Sequence, residues 1–131
     1  MNSKPIIGVI GAGAIGLFVS NQFIKYGYKV CLITKEIKQN EFFIIENQNS
    51  HSFNPILETK LNCKIDYLFV AIKFHHLESA LKKIPINFIN NALIIPFING
   101  FLHFNKIENL LNQKNVIASM IGGINASKVS N

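Results

Sequence analysis

The amino-acid sequence predicts an α/β domain built on an open, mostly parallel sheet with helices on both faces. Three observations carry that prediction. Apolar runs rich in β-branched residues recur at Pro5–Ile10, Val30–Thr34, Asp66–Ile72 and Ala92–Ile98, the pattern of strands buried on both faces. Stretches of helical periodicity alternate with them. The first run breaks into three glycines, Gly11, Gly13 and Gly16, at the point where a helix begins.

Composition sets the outer limits. A chain of 131 residues has the length of one domain, enough to bury a core and small for a complete two-substrate enzyme. Hydrophobic residues make up 49% and charged residues 15%, which excludes disorder. Lysine supplies every positive charge, 13 against 7 carboxylates for a net +6, and the lysines are scattered. A scattered positive surface is first a solvated one, and second a field that favours an anionic ligand such as a phosphate-bearing cofactor. With neither a basic run nor a recognition motif, no nucleic-acid partner is expected. Cys31 and Cys63 stand alone in apolar contexts, form no metal-ligand spacing, and read as two free thiols suited to a reducing cytoplasm. Lys4 and the apolar stretch to Val19 imitate a signal peptide. However, no small-residue cleavage site follows, glycine is dense, and the run is shorter than the roughly 20 residues of a membrane span. Neither export nor a membrane partner is expected.

In chain order, Pro5–Ile10 is the first strand and Ala14–Tyr26 the first helix, with Ile15, Phe18, Val19, Phe23 and Ile24 toward the sheet and Ser20, Asn21, Gln22 and Lys25 on other faces. Gly27 ends that helix in the position that favours a left-handed residue. Val30–Thr34 is the second strand, completing a right-handed βαβ unit. Between Glu41 and Leu57 the segments FFIIE and FNPIL predict two short strands with a turn near Asn47–Ser50. Asp66–Ile72 is a third buried strand, and Leu77, Ala80, Leu81 and Ile84 give a short helix closed by Pro85. Pro96 is awkward in a central strand, so it is expected at the last residues of Ala92–Ile98. Phe101–Leu111 reads as a helix and Val116–Met120 as a last strand. Strand, glycine turn, helix and strand in this order predict a Rossmann-like sheet.

In such a sheet ligands bind beyond the carboxyl ends of the strands. In GAGAIG, Gly11 permits a tight turn, Gly13 lets backbone approach a pyrophosphate, and Gly16 lets helix pack on sheet; Ala12, Ala14 and Ile15 complete the cradle. A structural glycine turn without a ligand is the plain alternative, but the motif follows a strand and opens a helix, the context that dinucleotide binding requires. At the end of the second strand, a carboxylate would hold the ribose hydroxyl of NAD. Thr34 and Lys35 stand there instead, a hydroxyl and an ammonium that suit the extra phosphate of NADP, although Lys35 read alone is an ordinary exposed lysine and Glu36 is a mild objection. Lys73 follows the third strand and Asn99-Gly100 the fourth. Read alone, the first is a surface lysine and the second a turn dipeptide; at strand ends, the ammonium lies over the cleft and the carboxamide is able to bond both ribose and substrate oxygens. His75, His76 and His103 are expected to be neither catalytic acids nor a metal set.

GAGAIG, LITK, DYLFVAIK and PFING together resemble the N-terminal NADP-binding domain of ketopantoate reductase (2-dehydropantoate 2-reductase), over nearly the whole chain. The resemblance implies Gly11 to Gly16 on the pyrophosphate, Lys35 on the 2′-phosphate, Lys73 on the cofactor, and Asn99 touching cofactor and substrate. It also puts Asn125 near the last cofactor contact of the domain. The family's usual glutamine before Asn-Gly is Ile98 here, and the segment after Lys73 is Phe74-His75-His76. These departures bear on substrate identity more than on cofactor binding. The resemblance further implies NADPH-dependent reduction of 2-dehydropantoate to pantoate in pantothenate biosynthesis, in the cytoplasm, by a protein with a second, helical domain that carries the catalytic lysine. Residues 1–131 are then the dinucleotide-binding domain, with no catalytic residue of their own and little or no reductase activity in isolation. Its implied partners are NADP(H), the C-terminal domain or a second chain, and, where the protein is a homo-oligomer, further copies. A stand-alone NADP(H)-binding regulatory or partner-binding module is the competing expectation.

Overall fold

The computed structural model describes residues 3–100, 102–117 and 127. The elements run β1 (Ile6–Ile10), α1 (Ala14–Lys25), β2 (Lys29–Ile33), β3 (Phe42–Glu46), β4 (Asn49–Phe53), β5 (Ile56–Glu58), β6 (Tyr67–Val70), α2 (Leu77–Leu81), β7 (Leu93–Pro96) and α3 (His103–Leu111). A five-stranded sheet has the order β5-β2-β1-β6-β7, every pairing parallel, and β3 and β4 form a separate antiparallel hairpin. This is the Rossmann-like arrangement, with β1 at the centre and the chain switching direction on either side of it. Val116 bridges Ile94 in parallel, and Ile117 N–H donates to Ile94 O at 2.8 Å, so a further segment runs beside β7. The predicted continuation of that strand to Met120 lies outside the described residues.

Strand periodicity divides the core into two layers. Ile7, Val9, Val30, Leu32 and Phe69 point to the face covered by α1, where Val19 and Phe23 meet them. Ile10, Ile33, Leu68, Val70 and Ile94 point to the other face, where Leu77 and Leu81 of α2 and Ile107 and Leu111 of α3 close over them. Pro96 is the last residue of β7, where Phe97 N–H takes over the ladder by donating to Val70 O at 2.8 Å. The absent amide of a proline therefore costs the sheet little.

Two expectations need correction. In α1 the buried residues are Gly16, Val19, Ser20 and Asn21, while Phe18 belongs to neither core layer. Small residues let the helix lie close to the sheet, and Ser20 removes the cost of its hydroxyl by donating from Oγ to Gly16 O at 2.8 Å. Asn21 faces the hairpin, its Oδ1 lying 3.2 Å from Nε2 of His51 on β4. The second correction concerns Glu41–Leu57. The turn is only Asn47-Gln48, both at positive φ (49° and 68°), as a two-residue hairpin turn requires. Asn49 and Ser50, expected within the turn, instead begin strand β4, and Pro55 separates that strand from β5, which leaves the hairpin to join β2.

Candidate functional site

The carboxyl edge of the sheet is stepped, each strand end being held by the residue after its neighbour. Gly11 N–H donates to Ile33 O, Thr34 N–H to Glu58 O and Ala71 N–H to Ile10 O, each at 2.9 Å. Beyond this edge the strand order sets the glycine turn after β1 between Thr34-Lys35 after β2 and Lys73 after β6, with Asn99 one strand farther, after β7. At a strand spacing of about 4.8 Å the three strands β2, β1 and β6 span about 10 Å, room for an extended ligand lying across them.

The three glycines of the turn answer to different demands. Gly11 has φ of +106°, and a Cβ there would run into the backbone carbonyl oxygen of Ala71, so only glycine fits. At Gly16, buried in α1, a Cβ would run into the carbonyl oxygen of Gly11, so glycine is what lets the helix follow the strand this closely. Gly13 is the N-cap of α1 with φ of −79°, and a Cβ there would meet nothing within 4 Å. The fold itself makes no steric demand at Gly13, and the space above it is open. Among the described residues no side chain caps the helix, and no acidic residue stands in its first turn. The first-turn amides of an α-helix have no partner within the helix, and its dipole makes this end positive. Ala12, Ala14 and Ile15 are half-buried between these glycines.

Around the turn, Lys35, Lys73 and Asn99 are exposed and Thr34 is half-buried, its Oγ1 donating to Glu36 O at 3.3 Å. The Glu36 carboxylate lies 3.6 Å from the Lys38 ammonium, a solvated pair that partly offsets the one acid beside Lys35. Glu58 closes β5, and its Oε2 accepts from Asn62 N–H at 3.1 Å. Lys73 precedes a single 3₁₀ turn, Phe74–His76, that leads into α2. Asn99 stands ahead of Gly100, which turns the chain with φ of +82°. Asn125 lies outside the described residues.

Sequence reasoning did not single out Lys106. Its Nζ sits 4.8 Å from the centroid of the Phe74 ring, bringing α3's positive charge against the segment that follows Lys73. Glu78 is held below its ordinary value by the hydrogen bond from Lys82 and, more weakly, by Lys106. The pairing of a residue on α3 with one thirty-two positions earlier carries no local sequence signal. His103 starts α3 and shares its buried stripe with Ile107 and Leu111, and neither ring nitrogen has a hydrogen-bond partner among the described residues. Cys31 and Cys63, read as isolated thiols, are brought together by the fold with their sulfurs 3.6 Å apart. Among the described residues no group of three or more His, Cys, Asp and Glu could hold a metal ion, and no helix is long and apolar enough to cross a membrane. A depression of about 370 Å³ lined by Lys4, Asp66, Asn91 and Leu93 opens at the amino edge, the opposite end of the strands from the glycine turn. The turn itself is an open shelf.

Several known proteins are similar to this chain. The chain is 20% identical over 118 residues to an uncharacterized oxidoreductase, YkpB, of Bacillus subtilis, covering 86% of this chain and 39% of that protein. The crystal structure of 2-dehydropantoate 2-reductase from Methylococcus capsulatus superposes with a TM-score of 0.68 at 21% identity, over 84% of this chain and 38% of that one. A ternary structure of D-mandelate dehydrogenase with NADH and anilino(oxo)acetate gives 0.69 at 22% identity, over 84% and 38%. The dimeric ketopantoate reductase from Staphylococcus aureus gives 0.63 at 19% identity, over 84% and 37%. At these identities the structures establish the fold alone, and the chain spans well under half the length of each. The family model for ketopantoate reductase PanE/ApbA matches residues 7–130. By that match over nearly all its length, the chain belongs to the ketopantoate reductase family.

Proposed function

We propose that this chain is the nucleotide-holding half of an NADPH-dependent oxidoreductase of the ketopantoate reductase family. The observation that carries the reading is the contrast among the glycines: Gly11 and Gly16 are required by the fold, whereas Gly13 faces open space at an uncapped helix start. A glycine that the fold does not need is explained by a ligand whose phosphate comes within hydrogen-bonding reach of the backbone.

The chain's own residues fit that group. Backbone from Gly11 to Gly16, including Ala12, Ala14 and Ile15, receives the pyrophosphate at the positive end of α1. Thr34 and Lys35 receive the adenosine 2′-phosphate, where a carboxylate would repel it. Lys73 adds a positive charge on the other side of the turn, and Asn99 presents a carboxamide to the ribose and to a substrate oxygen. Asn125 is proposed as a further cofactor contact. A reduced nicotinamide, when bound, supplies the reducing electrons to a ketone carbon. The residues here hold and orient it on one side, and none of them is assigned as the proton donor for the developing alkoxide.

That donor and most substrate contacts are proposed to come from a C-terminal helical domain, or a second chain, packed over the shelf. Ile37, Phe74 and Leu102, exposed at 49%, 40% and 85%, lie on segments leaving the carboxyl edge and support such a seat, although other exposed apolar side chains lie elsewhere. The reaction proposed for the whole protein is reduction of 2-dehydropantoate to pantoate, in the cytoplasm and in the service of pantothenate biosynthesis. This chain alone is proposed to be inactive. The test is fluorescence titration with NADPH and NADH. Tighter binding of NADPH is expected; equal or tighter binding of NADH, the cofactor found with D-mandelate dehydrogenase, overturns the assignment of Thr34 and Lys35.

A further inference from the structure

Cys31 lies in the middle of β2, in register with Gly8 on one side and Ile56 on the other, and is fully buried. Its side chain shares a face with Ile33, the face opposite α1. Over that face runs the extended connection from β5 to β6, whose alternate residues Leu61, Cys63 and Ile65 turn toward the sheet. Ile65 rests over Gly8, where an added Cβ would come within 2.5 Å of its Cδ1. The same alternation sets the Cys63 sulfur 3.6 Å from that of Cys31, in van der Waals contact. Closing to a bond of about 2.05 Å needs a shift shared between a strand and a connection that is free of helical structure.

We propose that Cys31 and Cys63 form a peroxide-oxidisable dithiol that closes to an intramolecular disulfide and staples the β5–β6 connection to β2. The two thiols differ in the ways the chemistry requires. Cys63 is half-buried and open to a small oxidant, whereas Cys31 is sealed in the sheet. Burial, reinforced by the hydrogen bond with Cys63, pushes the Cys31 thiol up to about 12, which keeps it protonated and unreactive toward peroxide. Cys63 is therefore the residue attacked first. Its thiolate sulfur bonds one peroxide oxygen as the O–O bond breaks, giving Cys63 sulfenic acid and one water once the released hydroxide is protonated. The sulfur of Cys31 then bonds the Cys63 sulfur, the S–O bond breaks, and the hydroxyl leaves with the Cys31 proton as a second water. Two thiols lose two electrons and two protons, and hydrogen peroxide is reduced to water. The staple lies three residues before Thr34, on the strand that ends at Thr34-Lys35.

Trypsin cuts after Lys29, Lys35, Lys60 and Lys64, so the two cysteines fall on separate peptides, VCLITK and LNCK. The protein at its natural length is treated with a slight excess of hydrogen peroxide, alkylated, digested and mapped by mass spectrometry. The expected product is VCLITK joined to LNCK, absent from Cys63→Ser and lost on treatment with dithiothreitol. In Cys31→Ala, Cys63 is expected to form a dimedone-trappable sulfenic acid and then sulfinic acid. Sulfinic acid on Cys63 of the unsubstituted protein, without the joined peptide, overturns the proposal, as does a Cys63–Cys63 link between two molecules. The map of the unsubstituted protein decides the matter even where Cys31→Ala fails to fold.

Discussion

Replacing Gly13 with alanine separates what the fold needs from what a ligand needs. Gly13 has φ of −79°, ordinary for any residue, and its Cβ would meet nothing within 4 Å. Losing glycine's unfolded-state entropy favours the variant by about 0.4–1 kcal/mol, and alanine's poorer N-capping disfavours it by a similar amount. Thermal stability is therefore expected to stay within a few degrees. Binding is different. A methyl group over the turn blocks the approach of a phosphate to backbone N–H, and a hydrogen bond to a charged group is worth about 1.5–3 kcal/mol, or a roughly 10- to 150-fold weaker Kd. Gly16→Ala is the control with the opposite profile, because its Cβ meets the Gly11 carbonyl and backbone must separate from backbone. The cost is about 3 kcal/mol, on the order of a 10 °C fall in Tm. Differential scanning fluorimetry and NADPH titration on the same preparations measure both. Unchanged NADPH affinity in a well-folded Gly13→Ala protein would refute the reasoning, because the open space over Gly13 would then have no ligand to explain it.

Three other outcomes are expected. Lys35→Asp should weaken NADPH binding by at least about tenfold and move preference toward NADH; unchanged NADPH affinity would make Lys35 a solvated lysine and nothing more. Gln48→Gly should raise stability by about 1 kcal/mol in urea unfolding, because Gln48 holds φ of 68° in a two-residue turn whose second position glycine adopts freely. A lower midpoint would show that the Gln48 side chain contributes more than its backbone strain costs. The third outcome concerns pH under reducing conditions. Burial of Cys31 raises its thiol from 9.0 to about 12, so the unfolded chain releases this proton before the folded one does. The stability this contributes is complete below about pH 9 and is lost as pH rises toward about 12. Urea midpoints at about pH 8 and about pH 10.5 should fall further apart for the unsubstituted protein than for Cys31→Ala, and equal slopes would remove Cys31 as the cause.

The sequence by itself determined the sheet and the turn at its centre. Buried parallel strands leave continuous apolar runs, and a tight strand-to-helix turn leaves glycines, so β1, β2, β6, β7 and the Gly11–Gly16 loop were legible from residues near one another in the chain. It determined less about α1, where Phe18 outranked Ser20 and Asn21 by hydrophobicity alone. Tertiary packing reversed the order, because close approach to the sheet rewards small side chains and the hairpin supplies Asn21 with His51. The division between β4 and β5 was likewise hidden, since a short edge strand such as Ile56–Glu58 is specified by its neighbour β2 more than by its own three residues. Only the three-dimensional structure distinguished the glycines, because whether a Cβ fits depends on Ala71, Gly11 or open space, none of which the motif names. It alone also set Lys106 against Phe74 and Cys31 against Cys63. Contacts between residues thirty-two positions apart arise from how strands are ordered and what crosses over them, and local pattern carries no record of that.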